Sequence, residues 1–324
     1  MERRRLGSLE VSAIGLGCMS MTPVYGPPDD AEAIRTIHRA AELGIDFIDT
    51  SDAYANGKNE ELVGRALAGR RDKYVLATKF GNLRLPDGTP SVNGRPEYVR
   101  EACHASLRRL GTETIDLYFI HRVDATVAIE ETVGAMAELV REGKVRHLGI
   151  SEAGLETIRR AHTTHPLAAL QTEYSLWTRD VENGTLELCK ELGIGFVAYS
   201  PLGRGFLTGT ITGSELAEGD VRANMPRFQG DALVHNLKLV TQLTELAEKE
   251  RCTPAQLALA WVLSRDPSIV PIAGTGHVRW IEENAAATTI APSADTLASL
   301  DAIFAPGIAA GPRYGPPMMA RVGL

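Results

Sequence analysis

The chain has 324 residues, of which 44% are hydrophobic and 23% are charged, and its formal net charge at pH 7 is -7. This acidic balance excludes the basic surface that nucleic-acid binding requires. The sequence contains no apolar run of roughly 18 residues, and its basic N-terminus is not followed by the apolar stretch of a signal peptide, so we expect a cytoplasmic protein without a membrane partner.

Eight short segments rich in β-branched and aromatic residues predict strands along the chain. The segments cover residues 13–17, 46–49, 74–79, 116–120, 146–150, 168–171, 195–200 and 269–273. Amphipathic segments between them predict helices. Thr253 followed by Pro254, for example, combines an N-cap residue with proline at the first helical position. A helix therefore follows nearly every strand.

This alternation leaves two α/β architectures, an open doubly wound sheet and a closed barrel. Eight strands suit a barrel, and polar residues after nearly every strand favour it. We predict one domain over residues 1–324, a single (β/α)8 TIM barrel with long loops at its C-terminal face. These loops cover about residues 80–96 and 201–231. A tail, about residues 306–324, has no helix or strand pattern and either packs across the barrel mouth or frays.

The cysteine and histidine spacing indicates neither disulfides nor a metal site. The four cysteines lie far apart without a Cys-x-x-Cys motif, which favours buried thiols. His162 and His165 form a His-x-x-His motif, but no cysteine or acidic residue stands at metal-ligand spacing from them. We predict no bound metal.

Four proton-active residues stand at or just after the ends of three predicted strands, and they are Asp49, Tyr54, Lys79 and His121. Strand ends build the active site at the C-terminal face of a parallel barrel. A tyrosine has a pKa of about 10 and is a poor acid unless a cation stabilises its phenolate. Lys79 could be that cation and Asp49 the carboxylate that keeps it charged, while a histidine can orient a substrate oxygen or relay a proton. We call these residues the four-residue set.

The segments that carry this set resemble the catalytic segments of the aldo-keto reductases. They are residues 44–51 with Tyr54, residues 78–79 and residues 116–121. The resemblance extends over essentially the whole chain and is strongest to the branch of bacterial, fungal and plant aldehyde and pyridoxal-type reductases. It implies NAD(P)H-dependent reduction of aldehydes or ketones to alcohols, with hydride from the nicotinamide and the proton from Tyr54. In that mechanism Lys79 and Asp49 tune Tyr54, and His121 positions the carbonyl.

The resemblance also implies where the cofactor binds. NADPH is the cofactor expected, and NADH is the alternative, because Gly276, His277 and Trp280 occupy positions where relatives often carry basic residues. Arg279 or Arg227 could replace them. Glu152 stands where many relatives have asparagine. The predicted cofactor-binding residues are Cys18, Met19, Ser151, Glu152, Gln171, Tyr199, Ser200, Pro201, Leu202, Gly203, Arg204, Gly205, Leu207, Arg227, Gly274, Thr275, His277, Arg279, Glu283 and Asn284.

A small-molecule carbonyl is the predicted substrate, in a pocket lined by Tyr54, His121 and Trp177. Two other functions are compatible with the pattern. One is an aldolase-type barrel in which Lys79 forms a Schiff base. The other is a redox-sensing or regulatory subunit that binds NADPH and turns over slowly. The complete four-residue set favours the reductase.

Overall fold

Eight parallel strands close into a barrel in the computed structural model, which describes residues 1–85 and 87–324. Around the barrel they follow the order β3-β4-β5-β8-β9-β10-β11-β12, and β12 pairs with β3. The strands are β1 (Arg3–Leu6), β2 (Leu9–Ser12), β3 (Gly15–Gly17), β4 (Phe47–Asp49), β5 (Val75–Phe80), β6 (Asn82–Arg84), β7 (Pro90–Val92), β8 (Ile115–Ile120), β9 (Val145–Ser151), β10 (Leu167–Glu173), β11 (Gly195–Tyr199) and β12 (Ile269–Gly274). The predicted (β/α)8 barrel is confirmed, and the doubly wound sheet is excluded.

Helices follow the barrel strands and pack their apolar faces against the outside of the barrel. They are α1 (Asp30–Glu42), α2 (Lys58–Leu67), α3 (Pro96–Leu110), α4 (Ile129–Arg141), α5 (Leu155–Thr164), α6 (Thr185–Leu192), α7 (Gly230–Lys249), α8 (Pro254–Arg265), α9 (Val278–Ala286), α10 (Ala294–Ile303) and α11 (Pro316–Met319). Thr253 forms the predicted N-cap of α8, in a capping box with Gln256. Within the described residues, no helix combines the length and apolarity needed to cross a membrane.

An N-terminal hairpin of β1 and β2 packs against the barrel, and the strand pattern of the sequence did not predict it. Its residues Leu6 and Val11 are fully buried and join Phe47, Leu117 and other side chains in one apolar cluster. The consecutive arginines of β1 hide the alternation of buried and exposed positions. Arg4 is nevertheless buried, because its guanidinium donates to the carbonyl oxygens of three residues near the end of α8 and the start of β12.

The long segments after the barrel strands contain short elements of their own. The segment at residues 80–96 includes the antiparallel pair β6 and β7, and Pro86, within the same predicted loop, lies outside the described residues. The segment at residues 201–231 contains three short 3-10 helices. The tail carries the single turn α11, and its residues Arg313 and Tyr314 are buried. It packs across the barrel mouth, which is the first of the two arrangements expected.

Replacing Gly195 with alanine should destabilise the protein, since a Cβ atom there would lie 2.3 Å from the Leu6 Cα atom of the hairpin. Such overpacking against backbone costs about 1–3 kcal/mol. Thermal and urea unfolding should therefore show a lower midpoint for Gly195→Ala. The matched control is Gly134→Ala in α4, where no heavy atom lies within 4 Å of the new methyl group. This control should gain about 0.5–1 kcal/mol from its higher helix propensity. Wild-type stability in Gly195→Ala would contradict the seating of the hairpin.

Candidate active site

The Lys79 ammonium group joins three members of the four-residue set. Lys79 is 1% exposed, and its Nζ donates to the Asp49 carboxylate, to the Thr50 carbonyl oxygen at 2.8 Å and to the Tyr54 hydroxyl at 3.3 Å. The second Asp49 oxygen accepts a hydrogen bond of 2.9 Å from Gln171 Nε2. All three ammonium donors are used, so the buried charge is fully satisfied.

Strand alternation delivers these groups to the barrel interior. Side chains two apart on a strand share a face, so Asp49 follows Phe47 and Lys79 follows Ala77 on the inner side. Phe47 and Ala77 belong to the inner apolar cluster, and Asp49 pairs in register with Ala77. The polar groups therefore form the layer above that cluster, at the C-terminal ends of the strands.

Burial and the neighbouring charges act in opposite directions on the site. Burial lowers the pKa of Lys79, but the charges of Asp49 and Tyr54 outweigh it, and the net pKa is raised. Burial raises the pKa of Tyr54, and Lys79 only partly offsets this effect. At neutral pH Lys79 is therefore an ammonium ion and Tyr54 is a protonated phenol.

His121 lies beside Tyr54 and is uncharged at neutral pH. The two ring centroids are 5.9 Å apart, in an edge-to-face arrangement. Ser51 Oγ lies 3.0 Å from His121 Nδ1, which leaves Nε2 as the nitrogen available to a bound molecule. Burial lowers the pKa of His121 well below its usual value, and the positive charges of Arg122 and Lys79 lower it further.

A cavity of about 1480 Å³ opens above these groups at the C-terminal face. Three members of the four-residue set, Asp49, Tyr54 and His121, line it. Most of the predicted cofactor residues line it as well: Met19, Ser151, Gln171, Tyr199, Ser200, Pro201, Leu202, Arg204, Gly205, Gly274, Thr275, His277, Arg279, Glu283 and Asn284. The fold thus brings together residues from seven barrel strands and the loops that follow them.

Five predicted cofactor residues lie outside the cavity lining, and they are Cys18, Glu152, Gly203, Leu207 and Arg227. Cys18 is fully buried, and its carbonyl oxygen accepts a hydrogen bond from the side chain of Asn59. Leu207 is also fully buried, below the loop of residues 200–205. Cys18 and Leu207 therefore lie behind the residues that line the cavity.

Trp177 is not brought to the predicted substrate pocket. It is 4% exposed and packs against Phe206, with ring centroids 4.8 Å apart. A Cβ atom on Gly203 would lie 2.5 Å from its indole ring. Trp177 thus packs against Phe206 and Gly203 and does not line the cavity, which corrects the expectation from sequence.

Arg227 does not reach the adenosine end of the predicted cofactor site. Its guanidinium donates to Thr178 Oγ1 at 2.6 Å and to the Gly311 carbonyl oxygen at 3.1 Å, and it lies 5.4 Å from the ring centroid of Trp177. Arg227 thus stabilises the C-terminal tail. It cannot replace the basic residues that relatives carry after Gly274.

Glu152 connects the cavity wall to the C-terminal tail. It is 2% exposed, and its carboxylate accepts hydrogen bonds from the Tyr199 hydroxyl at 2.8 Å and from both Arg313 terminal nitrogens at 3.1 and 3.3 Å. The Tyr199 hydroxyl also lies 2.9 Å from that of Tyr314. Position 152 can hold a carboxylate, where many relatives have asparagine, because Arg313 of the tail supplies the compensating positive charge.

The structure adds cavity residues that sequence reasoning missed as site residues. Asp52 and Arg122 line the cavity, and each is close in sequence to the four-residue set, so their positions beside strand ends could have indicated them. Tyr25 and Tyr314 line it from distant parts of the chain, and no local signal points to them. Burial, reinforced by the negative charge of Glu60, raises the pKa of Asp52 to about 7.

The segment before α9 fits a phosphate group. The backbones of Gly17 and Gly274 approach closely, so that a Cβ atom on Gly274 would lie 3.3 Å from the Gly17 carbonyl oxygen. Thr275 Oγ1 accepts from the His277 amide at 3.0 Å, and α9 begins at the next residue. The amides of a helix N-terminus favour anions.

Among the described residues, no three His, Cys, Asp or Glu side chains are grouped to hold a metal ion.

The comparisons with known proteins define the class. The Aldo/keto reductase family model matches residues 13–305. The glycerol dehydrogenase AKR11B4 from Gluconobacter oxydans is 31% identical, with coverage of 94% of this chain and 95% of that chain and a TM-score of 0.86. The aldo-keto reductase AKR11C1 from Bacillus halodurans is 32% identical over 94% of this chain and 96% of that chain, with a TM-score of 0.77. An aldo/keto reductase from Klebsiella pneumoniae, solved with NADP and acetate, is 28% identical over 96% and 97%, with a TM-score of 0.72.

The chain belongs to the aldo/keto reductase family. It is an oxidoreductase that acts on carbonyl or alcohol groups, as the sequence predicted. The roles of the individual site residues stay predictions.

Asp52→Asn should change how stability depends on pH. The unfolded carboxyl ionises near its ordinary pKa of about 3.9. The folded carboxyl retains its proton up to about pH 7. Between these values the folded state binds more protons, so wild-type stability should fall as the pH rises. The melting temperature of Asp52→Asn relative to wild type should therefore increase from about pH 5 to about pH 8. The control Asp72→Asn, at an exposed position, should show no such trend. A melting-temperature difference between Asp52→Asn and wild type that stays constant with pH would contradict the raised pKa of Asp52.

Arg313→Met should destabilise the protein strongly, because it leaves the Glu152 carboxylate buried without its cation. Removing one partner of a buried ion pair costs about 3–5 kcal/mol. Denaturant unfolding of this variant, of Glu152→Gln and of the double variant forms a thermodynamic cycle. The double variant should be more stable than Arg313→Met alone. If the double variant loses as much free energy of unfolding as the two single variants together, the Glu152–Arg313 ion pair does not hold the tail.

Proposed function

We propose that this protein catalyses the NADPH-dependent reduction of aldehydes or ketones to alcohols, with Tyr54 as the proton donor. The observation that carries the proposal is the position of the Tyr54 hydroxyl, on the cavity wall beside His121 and 3.3 Å from the Lys79 ammonium group. A carbonyl oxygen that gains negative charge needs a donor in that place.

Tyr54 carries a proton for this step, because a phenol is protonated at neutral pH; burial raises its pKa and weakens it as an acid, and the adjacent Lys79 charge acts against this effect. When its proton moves to the substrate oxygen, the phenolate that remains is stabilised by the adjacent Lys79 charge. Asp49 keeps that charge in place, and Gln171 holds Asp49 through its second oxygen. The stabilising charge is thus present before the reaction starts.

His121 acts in the proposal as the group that positions the carbonyl. With Nδ1 engaged by Ser51, a neutral imidazole can hydrogen-bond the carbonyl oxygen through Nε2. The lowered pKa of His121 keeps it uncharged over the neutral range. It therefore orients the substrate without adding another positive charge beside Lys79.

When bound, the nicotinamide cofactor supplies the hydride, which no side chain can provide. Tyr199 would face its nicotinamide ring, and Ser151 and Gln171 would bind the carboxamide. The amide nitrogen of Gln171 is already bonded to Asp49, so its carbonyl oxygen is the group free to accept. The loop of residues 200–205 would cover the pyrophosphate, and the segment before α9 would bind the adenosine phosphate.

NADPH, rather than NADH, is proposed from the guanidinium group of Arg279 at the adenosine end and from the NADP in the Klebsiella pneumoniae relative. Arg279 lies over the Trp280 ring at 4.2 Å from the centroid, and His277 lines the same part of the cavity. His277 Nδ1 is 2.9 Å from a Glu32 carboxylate oxygen, which reduces the positive charge offered to a 2′-phosphate. This acidic neighbour is the reason to compare both cofactors.

The aldolase alternative requires a neutral lysine amine that can attack a carbonyl. Lys79 is buried, uses all three of its protons in hydrogen bonds and has a raised pKa, so these observations favour its role as a permanent cation. The regulatory alternative does not call for a protonated tyrosine, a cation and a neutral histidine together. The presence of these three groups side by side therefore supports a catalytic rather than a regulatory function.

Tyr54→Phe should lower kcat for reduction of a nitrobenzaldehyde by NADPH at least about 100-fold, because the proton donor is lost. Its dissociation constants for NADPH and NADH, measured by fluorescence titration, should stay within about twofold of wild type, with NADPH binding more tightly in both proteins. The matched control is Tyr98→Phe, which removes another tyrosine hydroxyl from the cavity and should retain wild-type kcat.

Full activity in Tyr54→Phe would refute the proposed proton donor. Trapping of the aldehyde on Lys79 by borohydride would instead support the aldolase. Tighter binding of NADH than of NADPH would refute the cofactor assignment and leave the reductase proposal intact.

A further inference from the structure

Arg122 is a buried cation on the cavity wall that the proposed reaction does not use. It is 6% exposed and lines the cavity. Its Nη1 donates to the His121 carbonyl oxygen at 2.7 Å and to Ser151 Oγ at 3.3 Å. No carboxylate oxygen of the described residues lies within 4.0 Å of its guanidinium.

The neighbouring arginines, which are buried or partly buried, do have carboxylate partners. Arg313 pairs with Glu152 at 3.1 Å, and Glu173 lies 3.7 Å from Arg204 and 3.6 Å from Arg227. Asp180 also lies 3.6 Å from Arg313, so three carboxylates face the four guanidinium groups, that of Arg122 included. The Glu152 carboxylate is already occupied by Arg313 and Tyr199. Guanidinium groups outnumber carboxylates on this side of the cavity, and among the described residues Arg122 is the member of the four without a carboxylate oxygen within 4.0 Å.

A buried guanidinium without a counterion is costly, and its energy falls when an anion completes its environment. Arg122 keeps its charge: burial lowers its pKa, but nearby Tyr199, Tyr314 and Glu152 outweigh this and raise it. With Nη1 engaged by the protein, Nε and Nη2 remain as a planar pair of donors. A carboxylate fits such a pair with two parallel hydrogen bonds.

The position of Arg122 links this anion site to the reacting group. Arg122 follows His121 in the chain and donates to its carbonyl oxygen, so an anion at the guanidinium lies on the same side of the cavity as the His121–Tyr54 pair. We propose that Arg122 binds a carboxylate of the substrate, and that the preferred substrates are aldehydes or ketones that carry a carboxylate near the carbonyl group. This inference rests on the proposed reductase function and specifies its substrate class.

The test compares acids with their uncharged methyl esters. Wild-type kcat/KM is measured with 2-, 3- and 4-formylbenzoate and with the three methyl esters, at saturating NADPH. We expect at least one acid to exceed its ester about tenfold or more, as a charge-assisted hydrogen bond allows. Arg122→Met should lower that acid-to-ester ratio about 10- to 100-fold, mainly through KM of the acid. Arg122→Lys, which keeps the charge but loses the planar donor pair, should lower it less.

The matched control is Arg84→Met, which removes an arginine from the cavity rim. Its acid-to-ester ratio should stay within about twofold of wild type, because Arg84 is exposed and its charge is screened. As a measurement that needs no variant, benzoate should inhibit wild-type reduction of an uncharged aldehyde competitively, whereas benzamide should not. Benzoate inhibition that is lost in Arg122→Met and only weakened in Arg122→Lys would support the same assignment.

Three results would overturn the inference. One is an acid-to-ester ratio near one for all isomers in wild type, with the esters still reduced, which leaves the reductase function standing. Another is an Arg122→Met protein whose NADPH dissociation constant rises more than tenfold while the ratio is unchanged, because the guanidinium would then serve the cofactor. Absence of turnover with every acid and every ester would remove the proposed function and this inference together.

Discussion

The buried ion pair between Lys79 and Asp49 is the constraint on which the site depends. Both groups are almost fully buried, and desolvation of two such charges is costly unless every donor and acceptor is matched. Matching requires the carbonyl oxygen of Thr50, the Tyr54 hydroxyl and the amide of Gln171 from the far side of the barrel. A closed barrel provides this, because its strand ends meet around one point. The position of the Tyr54 hydroxyl therefore follows from the hydrogen bonds that the buried pair requires.

The two ends of the barrel are closed by different physical means. At the N-terminal end the hairpin of β1 and β2 inserts Leu6 and Val11 into an apolar cluster, and Arg4 adds hydrogen bonds to carbonyl oxygens of residues 263–269. At the mouth the tail is attached by charge and hydrogen bonds, through Arg313 on Glu152 and Tyr314 on Tyr199. The cavity opens at this polar end, and Tyr199 and Tyr314 line it.

Much of the fold and of the site could be predicted because their signals are local. The eight barrel strands are short apolar segments, and the four-residue set stands at strand ends. The predictions failed where the outcome depended on distant packing. Trp177 was expected in the pocket, but it packs against Phe206 and Gly203 and does not line the cavity. Arg227 was expected near the cofactor phosphate, but Thr178 and the tail hold it elsewhere. The arginine-rich β1 was missed because the buried position of Arg4 depends on carbonyl oxygens of residues 263–269.

The sequence by itself determined the strand-helix alternation, the identity of the proton-active groups and the family that they resemble. Periodicity and capping act over a few residues, so they can be read without a structure. Only the tertiary structure decided that Glu152 pairs with Arg313, which lies 161 positions away, and that Arg122 has no such partner in the part of the chain that the structure describes. Charge pairing across the barrel mouth depends on which loops and which part of the tail converge there, and closure of the barrel sets that convergence. Short segments of the sequence therefore identify the proton-active groups. The charges that surround the cavity depend on the complete fold.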